Sequence, residues 1–165
     1  ACEAIEAVTQ QQPQIKWVND IFLEGKKVCG ILTEGSFNLE TGQLDDVVVG
    51  VGFNVYPPAG GFPPEIAEIA DSILQKQHSG TKNKLAAAFL NFFFQIYRGE
   101  NDYASAYRAR SMVIGKSIVV STPTASRNAS ALDIDRDCRL IVRYEVGSIA
   151  SLSSAEVSIR TEGMR

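Results

Sequence analysis

Apolar and polar positions follow three successive patterns along the chain. Ala1, Ala4, Ile5 and Val8 recur at helical spacing, with Glu3 and Glu6 on the other side, and predict a helix near residues 1–10. No Ser, Thr, Asp or Asn precedes this run as a cap, so a helix cut at its start is expected. Residues 15–56 read as sheet, with strands near 15–18, 21–24, 27–34 and 46–55. Asn19-Asp20 supplies turn chemistry between the first two, and Glu24-Gly25-Lys26 makes the turn of a hairpin. Val47–Val55 is nearly all apolar and predicts a strand buried on both faces.

The period then changes. Pro57–Pro64 is a loop holding four prolines and two glycines. A helix is expected over 64–77, with Pro64 in its first turn and Ile66, Ile69, Ala70, Ile73 and Leu74 as its apolar stripe. A second helix over 82–98 ends at Gly99 and turns Leu85, Phe89, Phe92, Phe93 and Ile96 to the core. A third, shorter one fits Asp102–Ser111. From Gly115 the pattern is strand only: Ser117–Ser121, Ser130–Ile134, Leu140–Glu145, Ile149–Leu152 and Val157–Arg160, with Asp135-Arg136-Asp137 as a hairpin turn. The expected class is α/β (α+β). A mixed sheet covered by helices occupies residues 1–112, and a small β-barrel or sandwich occupies 113–165.

At 165 residues the chain can bury a core without staples. The cysteines, Cys2, Cys29 and Cys138, are widely spaced with no CxxC, which gives neither a disulfide framework nor a zinc site. His78 is the only histidine, so a Ser-His-Asp triad or a multi-histidine metal centre is not expected. Residues 1–114 carry 9 basic and 13 acidic side chains, and residues 115–165 carry 7 and 6. Neither part has the basic excess of a nucleic-acid surface. No apolar run approaches the ~18 residues of a membrane helix, and residues 1–14 lack the basic start and apolar block of a signal peptide. A cytoplasmic protein with free thiols and no membrane partner is expected.

One group of polar residues stands on or beside strongly apolar strands: Lys16, Asn19, Asp20, Lys27 and Asn54. A buried amide or ammonium is costly unless paired. Asn54 could satisfy a neighbouring backbone and Lys27 could reach solvent along its stem, or both could serve a ligand. Gly50 and Gly52 beside Asn54 permit close approach of a ligand.

The same residues carry a resemblance. Ile15-Lys16-Trp17-Val18-Asn19-Asp20, followed by Gly25-Lys26-Lys27-Val28-Cys29-Gly30-Ile31-Leu32-Thr33-Glu34, resembles the two lysine-bearing signatures of biotin protein ligases. Val49-Gly50-Val51-Gly52-Phe53-Asn54-Val55 resembles their following strand, and Ser153–Arg160 is similar to the end of their C-terminal domain. Val18 departs from the common pattern, which has proline there. A Gly-Arg-Gly run, which in that family forms a loop closing over biotin upstream, does not occur. With the uncapped opening helix, this makes an N-terminally truncated ligase the expectation, weakly active or inactive by itself.

The resemblance implies an SH3-like C-terminal barrel and a two-step reaction. Biotin's carboxylate attacks the α-phosphorus of ATP, and a lysine of a biotin carboxyl carrier protein then takes the biotinyl group. It implies Lys27 as the lysine bridging biotin and α-phosphate, Asn19 and Asn54 near the nucleotide, Asp20 holding or deprotonating the incoming lysine, and Mg²⁺ screening the phosphates. Trp17 is a ligand wall or core packing. A lipoate ligase or octanoyltransferase shares the architecture, and a non-catalytic module binding carrier protein or a second copy through a sheet edge is the reading from another class.

Overall fold

Glu24 and Gly25 both take positive φ, 49° and 81°, the backbone of a two-residue hairpin turn whose twist suits antiparallel strands. In this computed structural model, which describes residues 1–99, 102–121, 125–153 and 158–161, that turn joins β2 (Asp20–Leu23) to β3 (Lys26–Phe37). β1 (Gln14–Lys16) and β4 (Leu44–Phe53) complete an antiparallel sheet in the order β1-β2-β3-β4. Parallel pairing, expected of a mixed sheet, is confined among the described residues to two isolated bridges, Ile15 with Ser111 and Lys27 with Ala70.

Two helices cover one face of this sheet. α1 (Cys2–Thr9) buries Cys2, Ala4 and Ile5, and α2 (Thr81–Tyr97) buries Leu85, against Ile21, Val28, Cys29 and Ile73. Each fully buried Ile or Leu here stabilises the fold by about 1.5–3 kcal/mol. Burial also pushes the Cys29 thiol up from 9.0 to about 12. Because the folded value is raised, the stability this thiol contributes is fully present below about pH 9 and lost as pH rises toward 12. The urea midpoint should therefore hold steady through neutral pH and fall above pH ~9; a midpoint constant to pH ~11 would contradict this burial.

The helix expected over 64–77 does not form. Residues 63–70 make only short turns, with Ala67 and Ala70 donating back to Pro63 and Ile66. The chain then runs alongside the sheet ends. Asp71 N–H donates to the Lys27 carbonyl at 3.0 Å, Ile73 to Asn54 at 2.7 Å and Leu74 to Val55 at 3.0 Å. Pairing with the sheet satisfies these donors and buries Ile73, so tertiary context overrides the helical spacing.

Val47–Val55 is likewise not buried on both faces. β4 pairs with β3 alone and is one edge of the sheet among the described residues; Val48 is 64% exposed. Phe93 on α2, expected in the core, is exposed at 37%, while Phe89 and Phe92 pack against the core.

α3 (Tyr103–Ala109) starts at Asp102, whose carboxylate accepts the Ser105 N–H at 3.2 Å. β5 (Ser117–Ser121), β6 (Ser126–Ile134), β7 (Leu140–Tyr144), β8 (Ile149–Leu152) and β9 (Ser158–Thr161) form a second antiparallel sheet, ordered β8-β7-β6-β5-β9. The expected strands at 117–121 and 149–152 coincide with those observed. In the Ser153–Arg160 motif, residues 154–157 lie outside the described residues. Alternate positions of β5, β6 and β7 point inward: Ile118, Val120, Ala129, Ala131, Leu140 and Val142 share a core with Ile134, Leu152 and Val113. Trp17, ninety-six residues before Val113 in sequence, inserts into this same core. No described helix is long and apolar enough to cross a membrane.

Candidate functional site

The helix-free face of the first sheet is built by an irregularity in β3. From the hairpin turn, Leu23 pairs with Lys26 and Phe22 with Lys27, but Ile21 then pairs with Cys29, leaving Val28 as an extra residue. This bulge resets the alternation. Val28 and Cys29 both turn into the core, and Lys27 joins the face that carries Asp20 and Gly30. The Lys27 ammonium meets the Asp20 carboxylate at 2.6 Å, with side chains 42% and 28% exposed. Lys26 leaves on the other side, its ammonium 3.4 Å from the Ala67 carbonyl. Lys16 stands on the Asp20 face, 5.7 Å from the Phe22 ring centroid.

Glycines floor the same face. Gly30 pairs with Gly52, and Leu32 with Gly50. A methyl group at Gly30 would lie 3.2 Å from Lys27 Cε, 3.3 Å from its Nζ and 3.6 Å from Asp20 Oδ1. The backbone is thus bare beside a cation, so an extended ligand can lie against the strands with its anionic end on Lys27. The pairing of Lys27 with Asp20 also gives an incoming amine a carboxylate within reach of the same point. Among the described residues no cluster of three or more His, Cys, Asp or Glu could hold a metal ion.

Asn19 and Asn54 serve the backbone. Asn19 Nδ2 donates to the Ile31 carbonyl at 2.6 Å while its own carbonyl accepts the Ile31 N–H at 3.0 Å. Asn54 Nδ2 donates to the carbonyls of Asp71 at 3.1 Å and Lys27 at 3.5 Å. Both therefore hold β3, the strand that presents Lys27. Trp17 is 5% exposed, and its indole N–H donates to the Cys138 carbonyl at 2.8 Å, which makes it core packing. Asp20, expected in the turn, begins β2 and pairs with Gly30; the turn is Trp17–Asn19. The bulge at Val28 and the role of Gly30 were missed in the sequence. The consecutive apolar pair Val28-Cys29 after Lys27 was the available signal, since strict alternation cannot bury both.

A family model described as the biotin protein ligase C-terminal domain matches residues 113–160, and one described as the biotin/lipoate A/B protein ligase family matches residues 1–54. Between them they match more than half of the chain. Among curated proteins, the bifunctional ligase/repressor BirA of Bacillus spizizenii is 30% identical over 95% of this chain and 49% of its own length. The biotin–[acetyl-CoA-carboxylase] ligase of Paracoccus denitrificans is 31% identical over 81% of this chain and 58% of its own. The chain thus spans about half the length of the curated relatives it matches. Among solved structures, the biotin protein ligase of Aquifex aeolicus in complex with biotin and ATP superposes with a TM-score of 0.74 at 20% identity, covering 98% of this chain and 67% of that one. The apo form gives 0.75 at 21% identity, over 98% and 71%. The fold is shared with these structures.

Proposed function

The chain belongs to the biotin protein ligase family, and from that premise we propose that its glycine-floored sheet face activates biotin with ATP and passes it to a lysine of a biotin carboxyl carrier protein. The observation that carries this reading is the Lys27 ammonium, paired with Asp20 at 2.6 Å beside the bare backbone of Gly30. In the first step a biotin carboxylate oxygen bonds to the α-phosphorus of ATP and the bond to the β-phosphate oxygen breaks, releasing pyrophosphate. Two anions must meet, and a preorganised cation at the meeting point stabilises the charge that develops. Lys27 supplies it, held in place by Asp20. In the second step the carrier lysine nitrogen bonds to the biotinyl carbonyl carbon and AMP leaves. Asp20 holds that amine and takes its proton. Asn19 and Asn54 keep β3 in register beside the nucleotide. ATP brings Mg²⁺ with it as its counter-ion, and an ATP-consuming reaction of this kind belongs in the cytoplasm.

We take residues 1–112 as the catalytic part and 113–165 as an SH3-like barrel. The match of the C-terminal family model to residues 113–160 and the single core that residues of β5, β6, β7 and β8 share support this. That C-terminal match also favours biotin over lipoate, because the N-terminal family model spans both substrates. A homodimer would pair through the exposed β4 edge.

The test is biotin-dependent ATP–pyrophosphate exchange by the natural protein that carries this chain. Exchange with biotin and none with lipoate is expected. Exchange with lipoate alone would move the substrate, and none with either would leave a binding module. Gly30→Ala should lower that exchange by on the order of 10–100-fold, because the new methyl displaces the flexible end of Lys27. The unfolding free energy should change by less than about 1 kcal/mol, since Gly30 does not sit at positive φ.

A further inference from the structure

The Trp17–Asn19 turn is held from outside its own sheet. The Tyr107 hydroxyl, on α3, donates to the Val18 carbonyl at 2.7 Å. The Trp17 indole is anchored on Cys138, between β6 and β7. α3 is fixed to that second sheet in turn: the Arg108 guanidinium donates to the Ile134 carbonyl at 3.0 and 2.5 Å and meets Asp133 at 2.8 Å. The segment after α3 pairs with β1, Ile15 N–H donating to Arg110 at 2.8 Å and Met112 N–H to Ile15 at 2.9 Å. From the gripped Val18 carbonyl, the next residue along the chain is Asn19, locked to the Ile31 peptide, and the one after is Asp20, paired with Lys27.

We propose that Tyr107 is a positioning residue for the adenylation step: its hydroxyl fixes the turn that presents Asp20 to Lys27, so α3 and the C-terminal sheet set the geometry of the reacting cation. This rests on the ligase reading above. Like any phenol the Tyr107 hydroxyl is a donor at neutral pH, and burial pushes its pKa further up. Its ring also packs against the C-terminal core, a structural role that Tyr107→Phe preserves while removing only the hydrogen bond.

Two readouts on the natural protein test this. In biotin-dependent ATP–pyrophosphate exchange, Tyr107→Phe should lower kcat about five- to tenfold, the weight of one hydrogen bond, with KM for biotin and ATP unchanged. In native-state amide exchange, protection of the Ile31 N–H, which donates to Asn19, should fall by a similar factor. Trp17→Phe, which removes the other hold on the turn, should act in the same direction. Unchanged Ile31 protection overturns the proposal, as does lost protection with unchanged kcat, or a loss expressed only in KM. Inactivity of the unsubstituted protein would overturn the ligase reading, and the hold on the turn would then stand or fall on Ile31 protection alone.

Discussion

Lys27→Ala in the natural protein is expected to lower biotin-dependent ATP–pyrophosphate exchange by about 10²–10³-fold, as removal of one preorganised electrostatic donor typically does. The circular dichroism spectrum should not change, because the Lys27 side chain is 42% exposed and packs in neither core. Lys26→Ala is the matched control. It removes the same charge one residue away, but its ammonium lies on the far side against the Ala67 carbonyl, so exchange should stay within about twofold. If Lys26→Ala proves the damaging change, the side assignment at the Val28 bulge is reversed. If neither substitution matters, this face does not perform the chemistry.

That contrast shows how far the sequence could be read. Alternation alone sends Lys26 and Lys27 to opposite faces, and this holds. It would also set Cys29 on the Lys27 face, and this fails, because the bulge at Val28 carries Cys29 into the core and brings Gly30 beside Lys27. A bulge depends on the strand opposite, which local spacing does not report. The stretch Ile66–Leu74 misled for a related reason. Its helical spacing is real, but the open backbone of Lys27, Asn54 and Val55 offered its amides partners that a helix would have competed with. Val47–Val55 reads as a strand covered on both sides, whereas β4 is covered on one at most and paired along only one edge. Where elements depend on their own residues, as with the Glu24-Gly25 turn, α2 and the strands at 117–121 and 149–152, the reading and the structure agree.

Trp17→Ala should produce the largest loss of stability, about 3–5 kcal/mol for removing a buried aromatic side chain. Trp17 is 5% exposed and shares a core with Val113, Ile118 and Val142, so the cavity would open inside the core of the second sheet. Trp17→Phe keeps most of the ring but leaves the Cys138 carbonyl without its 2.8 Å donor, and should cost about 1–3 kcal/mol. Urea unfolding followed by circular dichroism measures both, since Trp17 is the only tryptophan and fluorescence would be lost with it. A cost below ~1 kcal/mol for Trp17→Ala would mean that the indole does not join the sheets. The residue lies inside the lysine-bearing signature, yet its work is architectural. The signature couples the Lys27–Asp20 face to an anchor in a second core.

The activated intermediate should lie on the Lys27 face of the first sheet. A crystal structure of the natural protein with biotinyl-5′-adenylate bound tests it most directly. The predicted result has the phosphate within hydrogen-bond distance of Lys27 Nζ and the biotinyl chain against the backbone of Gly30, Gly50 and Gly52. A phosphate bound elsewhere, with Lys27 still paired only to Asp20, would contradict it.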